Sequence, residues 1–335
     1  MQGMPRERWF LQSVWQEDSK MTKRMRGNAL LLLAAFIWGL SFVAQSEGMK
    51  YIGPFAFIGI RSMLAGVSLA IFLGIRAAIT AGKKRKEKCV HNTTENTVES
   101  KLVGRKALFL GGVSCGIILF AATMLQQIGI LHNNEPGKAG FITALYLILV
   151  PLAGIFFRKR IGAKVWIAVV LAVCGMYLLC ITEELHMTTG DLYLLGCAFV
   201  FTLHILVIDY FSPKVDGVAM SCIQFLLCGV LGMTCMFLTE TVEITHVLEA
   251  WLPLVFSGVF SGGVAYTLQI VAQKDTEPAI ASLLMSLESV FAVFGEWLIL
   301  GQLLSAREFA GCALMFAGII LTQLPEKRAK KLSKN

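Results

Sequence analysis

The sequence predicts an all-α integral membrane protein, with ten transmembrane helices arranged as two five-helix repeats of inverted topology. Three observations carry that prediction. Apolar runs of about twenty residues recur along the 335-residue chain. Lys and Arg collect on one side of the bilayer that those runs would cross. The second half echoes the first at a nearly constant offset.

Hydrophobic residues make up 56% of the chain and charged ones 16%. An ordinary soluble protein carries about 25% charged residues, so a soluble domain is excluded. In order, the runs lie near 28–46, 54–75, 106–130, 136–157, 163–181, 191–210, 217–238, 250–272, 278–300 and 306–324. Proline-marked breaks separate several of them, at Gly53-Pro54, Glu135-Pro136 and Glu277-Pro278. The first run is too long for the apolar core of a signal peptide, and no cleavable leader is expected. Residues 1–20 read either as an interfacial helix built on Phe10, Leu11, Val14 and Trp15, or as an over-long start ahead of Met21.

With the N-terminus in the cytoplasm, the cytoplasmic side holds 26 of the 30 Lys and Arg residues. Only Lys50, Lys138 and Arg307 fall outside, and Arg61 lies within a span. Both termini are therefore expected in the cytoplasm. The chain divides into a cytoplasmic tail over 1–26, a first repeat over 27–181 with a cytoplasmic loop at 76–106, an inverted second repeat over 190–324, and a basic cytoplasmic tail over 325–335. The basic stretches are topology signals that also meet lipid head groups, and no nucleic-acid partner is expected. The sequon at Asn92 falls in the cytoplasmic loop, out of reach of glycosylation. Eight of the nine cysteines lie singly in apolar runs and Cys89 in the basic loop, so neither metal nor disulfide is expected.

The segment EPGKAGFITALYLILVPLAGI (135–155) aligns with EPAIASLLMSLESVFAVFGEW (277–297) at an offset of 142. AKVWIAVVLAVCGMYLL (163–179) matches AREFAGCALMFAGIILT (306–322) at 143, and AAFIWGLSFVA (34–44) resembles CAFVFTLHILV (197–207) at 163. The polar loop of residues 80–104, which the second half lacks, accounts for the change. Five spans per half is an odd number, so the second half enters the membrane upside down. Such repeats mark secondary transporters, with a substrate site near the midplane at the repeat interface.

Ala35-Phe-Ile-Trp38-Gly39, Pro54 followed by Arg61, Gly137-Lys-Ala-Gly-Phe-Ile-Thr-Ala-Leu-Tyr146, Leu287-Glu288-Ser289-Val290, Gly311 and Gly318 resemble the drug/metabolite transporter superfamily, EamA type. The resemblance covers roughly residues 27–324. It implies a central cavity opened alternately to each side of a bacterial plasma membrane, and carriage of amino acids, sugars, nucleotide-linked sugars or drugs. One departure is the place where a Gly-Glu pair often follows the ninth span. Here it reads Gly301-Gln302, leaving Glu296 as the nearest acid.

Glu288 sits near the middle of LLMSLESVFAVFGEWLIL (283–300), where a charged side chain costs roughly 2.5–3.5 kcal/mol on insertion scales. Its repeat mate is Tyr146. Glu288 reads either as a proton- or substrate-linked carboxylate in a water-lined cavity, or as a structural anchor paired with Arg61 or another helix. Thr143 and Tyr146 lie on a stripe with Ala139, Val150 and Ala153, matched by Ala281, Met285, Glu288, Ala292 and Gly295. Arg61 could snorkel, hold a carboxylate of the protein, or bind an anionic group of a solute; its mate is Gln224. His204 is a candidate proton relay or a hydrogen-bonded packing residue. Trp38, Tyr266, Gln127 and Gln269 are candidate cavity-lining groups or packing residues. Gly112-x-x-x-Gly116 and Gly258-x-x-x-Gly262 suit close helix contacts, and Pro151 should kink its span.

No HExxH or GxGD motif occurs in a span, and no P-loop is present to run ATP hydrolysis. The chain is therefore expected to be no enzyme and to need no cofactor. The reading is a secondary transporter of small metabolites, exporting amino acids or similar amphiphilic solutes, with protons as a candidate coupling ion. An uptake permease for a sugar-like solute is the alternative, and a channel or structural membrane protein is the third. Monomer and homodimer both stay open.

Overall fold

In the computed structural model, the structure describes residues 6–87, 97–132, 136–156, 158, 161–181, 187–300 and 305–324. Cys89, the sequon at Asn92, Gly301-Gln302 and the tail 325–335 lie outside the described residues, as do the side chains of residues 6–21 and of Glu296. The described elements are helical: α1 (Arg6–Gly48), α2 (Pro54–Glu87), α3 (Thr97–His132), α4 (Pro136–Thr143), α5 (Tyr146–Phe156), α6 (Ala163–Cys180) and α7 (Thr189–Phe211). They continue as α8 (Gly217–Thr239), α9 (Ile244–Glu249), α10 (Trp251–Val255), a π-helical stretch (Phe256–Ala265), α11 (Tyr266–Ala272), α12 (Pro278–Met285), α13 (Glu288–Leu300) and α14 (Ala306–Gln323).

Among the described residues, seven helices are long and apolar enough to cross a membrane: Thr22–Gly48, Pro54–Ala81, Gly104–His132, Thr189–Lys214, Gly217–Thr239, Trp251–Ala272 and Pro278–Gly295. The spans expected at 136–157 and 163–181 appear as shorter apolar helices, Gly140–Phe156 and Ala163–Leu179. The last expected span coincides with α14, which opens on a capping box in which Ser305 and Glu308 bond each other's backbone N–H.

Some helices outrun the expected spans. α1 is continuous from Arg6, because no Pro or Gly interrupts the chain before Gly27. α2 runs to Glu87 and α3 starts at Thr97, so much of the expected polar loop is helical extension. Lys, Arg and Glu are good helix formers, and charge alone does not end a helix.

Two expected spans are interrupted. α4 gives way to α5 at Ala144-Leu145, and α12 to α13 at Ser286-Leu287. Around each break the backbone tightens to i→i−3 bonds, as in Leu147 N to Ala144 O at 3.0 Å and Ser289 N to Ser286 O at 3.3 Å. Hydroxyl back-bonding supplies a cause in the second case, since Ser282 and Ser286 donate to the carbonyls of Ala279 and Leu283. In the first, Pro151 lies one turn into α5 and cannot donate to the carbonyl four residues back.

Packing is by helix pairs. α2 lies along α8, α6 along α14, α3 along α7, and α1 along the π-stretch, α11 and α13. The α2–α8 seam is glycine-lined: a Cβ on Gly232 would stand 2.8 Å from Gly59 Cα. Gly258 and Gly262 meet α2 at Arg61 and Ala65, and Gly112 and Gly116 meet α8 at Ile223 and Gln224, as their spacing predicts. The run Gly112-Val113-Ser114-Cys115-Gly116 also has the letters of a nucleophile elbow. It lies inside the continuous helix α3, not at a strand-to-helix turn, so it cannot present its serine that way. The largest apolar cluster ties α1, α5, α6, α7, α12 and α14 through Leu31, Leu147, Met176, Ile205, Leu284 and Ile319.

Candidate functional site

The two interrupted spans bring their breaks together. Tyr146 is the first residue of α5 and Glu288 the first of α13, and the phenol donates to Glu288 Oε1 at 3.1 Å. Both side chains are buried. The first turn of a helix favours an acidic side chain by about 0.3–1 kcal/mol, so the break at Ser286-Leu287 offsets part of the cost of placing Glu288 in the membrane.

A central cavity lies beside this contact. Eight of the nine residues singled out in the sequence line it: Trp38, Arg61, Thr143 and Tyr146 from the first half, and His204, Tyr266, Gln269 and Glu288 from the second. The ninth, Gln127, is buried behind the wall and donates to Gln45 Oε1 at 2.8 Å, so it acts by fixing a lining residue. The cavity's free space is about 60 Å³, against roughly 300–1,000 Å³ for a pocket that encloses a drug-sized ligand. The walls must part before an amino acid could enter.

One wall is aromatic. The Trp38 and Tyr266 rings meet edge-on with centroids 4.8 Å apart, and Trp38 Nε1 donates to the Ser261 carbonyl at 3.4 Å. The Phe225 ring packs behind Tyr266 at 5.3 Å. The π-helical stretch carries three glycines and places Ser257 and Ser261 toward α1 and α2. Such wide turns inside helices are frequent at functional sites.

His204 is buried, with its Nε2 3.3 Å from Gln224 Oε1. In the tautomer that donates along this line, Nδ1 is an acceptor, and it has no protein partner. Gln269 Oε1 is likewise buried without one. Buried polar atoms are usually satisfied, and these two belong to residues that line the cavity.

Arg61 does not pair with Glu288. Among the described residues no carboxylate lies within 4 Å of its guanidinium; the ion pairs there are Lys50–Glu47 and Arg76–Asp216. The nearest ring to the Arg61 guanidinium is Phe57, 5.6 Å from Cζ.

Sequence reading missed Phe42, Gln45, Gln126, Phe201, Ile205, Ser261 and Met285, which also line the cavity. A signal for three of them was present. Phe201 and Ile205 stand 163 residues after Trp38 and Phe42, and Met285 stands 142 after Thr143, the same offsets that align the halves. Phe42, Gln45, Gln126 and Ser261 carry no such mark, because ordinary side chains in a span read as packing.

The chain is 25% identical over 311 residues to an uncharacterized transporter of Archaeoglobus fulgidus, covering 92% of this chain and 89% of that one. It is 21% identical to the uncharacterized transporter YoaV of Bacillus subtilis, over 92% of this chain and all of the relative. A solved crystal structure shares the fold with a TM-score of 0.68 at 17% identity, covering 88% of this chain and 96% of its own. The EamA-like transporter family matches residues 25–181 and again residues 188–324. With nearly the whole membrane part matched and a polar cavity walled by both halves, the chain belongs to the EamA-like transporter family.

Proposed function

We propose that this protein is a secondary transporter that exports amino acids or similar amphiphilic metabolites by alternating access around the central cavity. Its ten helices form two five-helix halves of inverted topology. The observation that carries the reading is the contact of Tyr146 with Glu288, equivalent positions of the two halves, at matching helix breaks beside the cavity. Discontinuous helices that meet at the midplane are how transporters expose backbone and polar groups to a solute inside a membrane.

The packing supports the same reading. Exchanging the halves turns the α3–α7 pair into the pair of α1 with the π-stretch and α11, and leaves α2–α8 and α6–α14 unchanged. The excess of basic residues on one side supports an orientation with both termini in the cytoplasm. A cleft of about 700 Å³ between α5, α7 and α12 lies on that side, lined by Val150 one turn beyond Tyr146 and by Pro278 and Ala279 at the start of α12. It is walled mainly by apolar side chains and shares no lining residue with the central cavity.

Reconstitution in liposomes tests this, with a panel of amino acids, sugars and nucleosides and with or without a pH gradient. Saturable flux and counterflow are expected, with Glu288→Gln lowering flux at least about tenfold while thermal stability holds. Flux that rises linearly and shows no counterflow would rule out a carrier. Normal transport by Glu288→Gln at every pH would remove the carboxylate from the cycle.

A further inference from the structure

We infer that Arg61 is the docking point for an acidic group of the solute, so that the cavity takes small carboxylates with an apolar or aromatic body, amino acids among them. This rests on the cavity being the solute site.

A guanidinium inside a span is costly, and such groups normally pair with a carboxylate or a backbone carbonyl. Arg61 does neither among the described residues. The carboxylate that shares its cavity, Glu288, is engaged by Tyr146. A cation is thus held at the cavity wall with no carboxylate partner among the described residues.

The surroundings are built for an anion. Arg61, Ser261 and Tyr266 line both the central cavity and a smaller one of about 10 Å³, whose wall also includes Ser257. Ser41 donates to Ser257 Oγ at 3.4 Å, which leaves the Ser257 hydroxyl hydrogen free to donate in turn. Trp38 Nε1 donates to the Ser261 carbonyl, and among the described residues the Ser261 hydroxyl, which lines both cavities, makes no hydrogen bond. A planar guanidinium with its five donors binds a carboxylate in two parallel bonds, and the aromatic wall of Trp38 and Tyr266 faces the remainder of such a solute.

The fold itself does not require charge at this position. Its counterpart 163 residues on is Gln224, which is neutral and fully buried, with its Oε1 facing His204 Nε2. An uncharged residue therefore suffices for packing at the equivalent place on α8. The positive charge on α2 is an addition, and the cavity is where it points.

The test is binding to the purified full-length protein, using 3-phenylpropionate and L-phenylalanine as acids and 3-phenylpropionamide and phenethylamine as analogues without the acid. The wild type is expected to prefer each acid at least about tenfold over the amide, with Arg61→Gln abolishing the preference and Arg61→Lys keeping part of it. Equal affinity for acid and amide overturns the inference, as does no binding of either acid up to about 1 mM, the upper end of common KM values. If Arg61→Gln does not fold, the acid-to-amide ratio in the wild type and in Arg61→Lys decides. A parallel flux measurement separates this inference from the transporter reading. Acids that bind through Arg61 but never cross a liposome would sink transport alone. Saturable flux of neutral solutes, unchanged in Arg61→Gln, would sink the docking role alone.

Discussion

The α2–α8 seam and the crossing of α4–α5 with α12–α13 both join the stretch 25–181 to the stretch 188–324, each of which matches the family, yet they are built in opposite ways. α2 and α8 are unbroken, run antiparallel and touch through glycine. Both ends are clamped by carboxylates that also cap helices. Glu240, just past the end of α8, accepts from the N–H groups of Phe55 at 2.9 Å and Ala56 at 2.8 Å. Asp216, just before α8, accepts from Val218 and Ala219 and holds Arg76 of α2 at 2.6 Å. The other crossing has broken helices, and one hydrogen bond between side chains joins the two breaks. The difference separates a frame from a working part. Arg61 is mounted on the unbroken seam, while Glu288 and Tyr146 sit at the broken crossing, which the proposed alternating access would rearrange.

The largest effect should come from wedging the frame. A Cβ at position 232 would meet the Gly59 backbone at 2.8 and 2.9 Å, and backbone cannot swing aside. Gly232→Leu is expected to cost about 1–3 kcal/mol or more and to lower the folded yield, as overpacking does. Thermal unfolding in detergent reads it. A variant as stable as wild type would show that the seam is looser than its geometry.

Removing one clamp should act less. Glu240→Ala strips the acceptor from two N–H groups at the start of α2, a loss of about 0.5–2 kcal/mol for a helix cap. Glu240→Gln keeps one acceptor oxygen and should recover part of it. Flux per folded molecule should stay near wild type in both, because the clamp is remote from the cavity. A selective loss of flux at unchanged stability would place Glu240 in the transport cycle.

How far this contrast is legible in the sequence follows from the same chemistry. Apolar run length and proline breaks mark the helices, and the offset of 142 pairs Tyr146 with Glu288 before any coordinates. The breaks at Ala144-Leu145 and Ser286-Leu287 are not legible, because neither holds Pro or Gly. They arise from i→i−3 tightening, with serine back-bonding in one case and a downstream proline in the other. The clamps were hidden too. Glu240 and Asp216 look like ordinary loop acids, and only the antiparallel pairing of α2 with α8 brings each to the other helix. Arg61 is marked by its charge, while the absence of a carboxylate partner among the described residues is a property of three dimensions.

At the broken crossing, Tyr146→Phe removes the hydrogen bond to Glu288 and leaves the ring in place. About 0.5–1.5 kcal/mol is expected for the lost bond. Its consequence should fall on transport more than on melting, since the bond links the two halves at the cavity. Counterflow in liposomes is the measurement. Unchanged rates would mean that the contact is incidental to the cycle.

The smallest effect concerns the other clamp and its dependence on pH. Partial burial alone would push the Asp216 carboxyl up, but the Arg76 bond and charge, with the N–H groups of Ala219 and Val218, hold it below its ordinary 3.8. A carboxyl whose folded value is depressed contributes stability that is fully present above its unfolded value and is lost as pH falls through the folded one. The contribution is therefore intact at neutral pH and fades below about pH 4. Arg76 and Asp216 are 45% and 41% exposed, so solvent screening holds the pair to less than about 1 kcal/mol. Asp216→Asn isolates the charge, because asparagine can still cap α8. The gap in stability between wild type and this variant should narrow as pH drops from 7 toward 3, and as salt is raised at pH 7. A gap that stays constant through both titrations would mean that Asp216 serves α8 as a cap alone, and that the α2–α8 frame is closed at this end by glycine packing without help from charge.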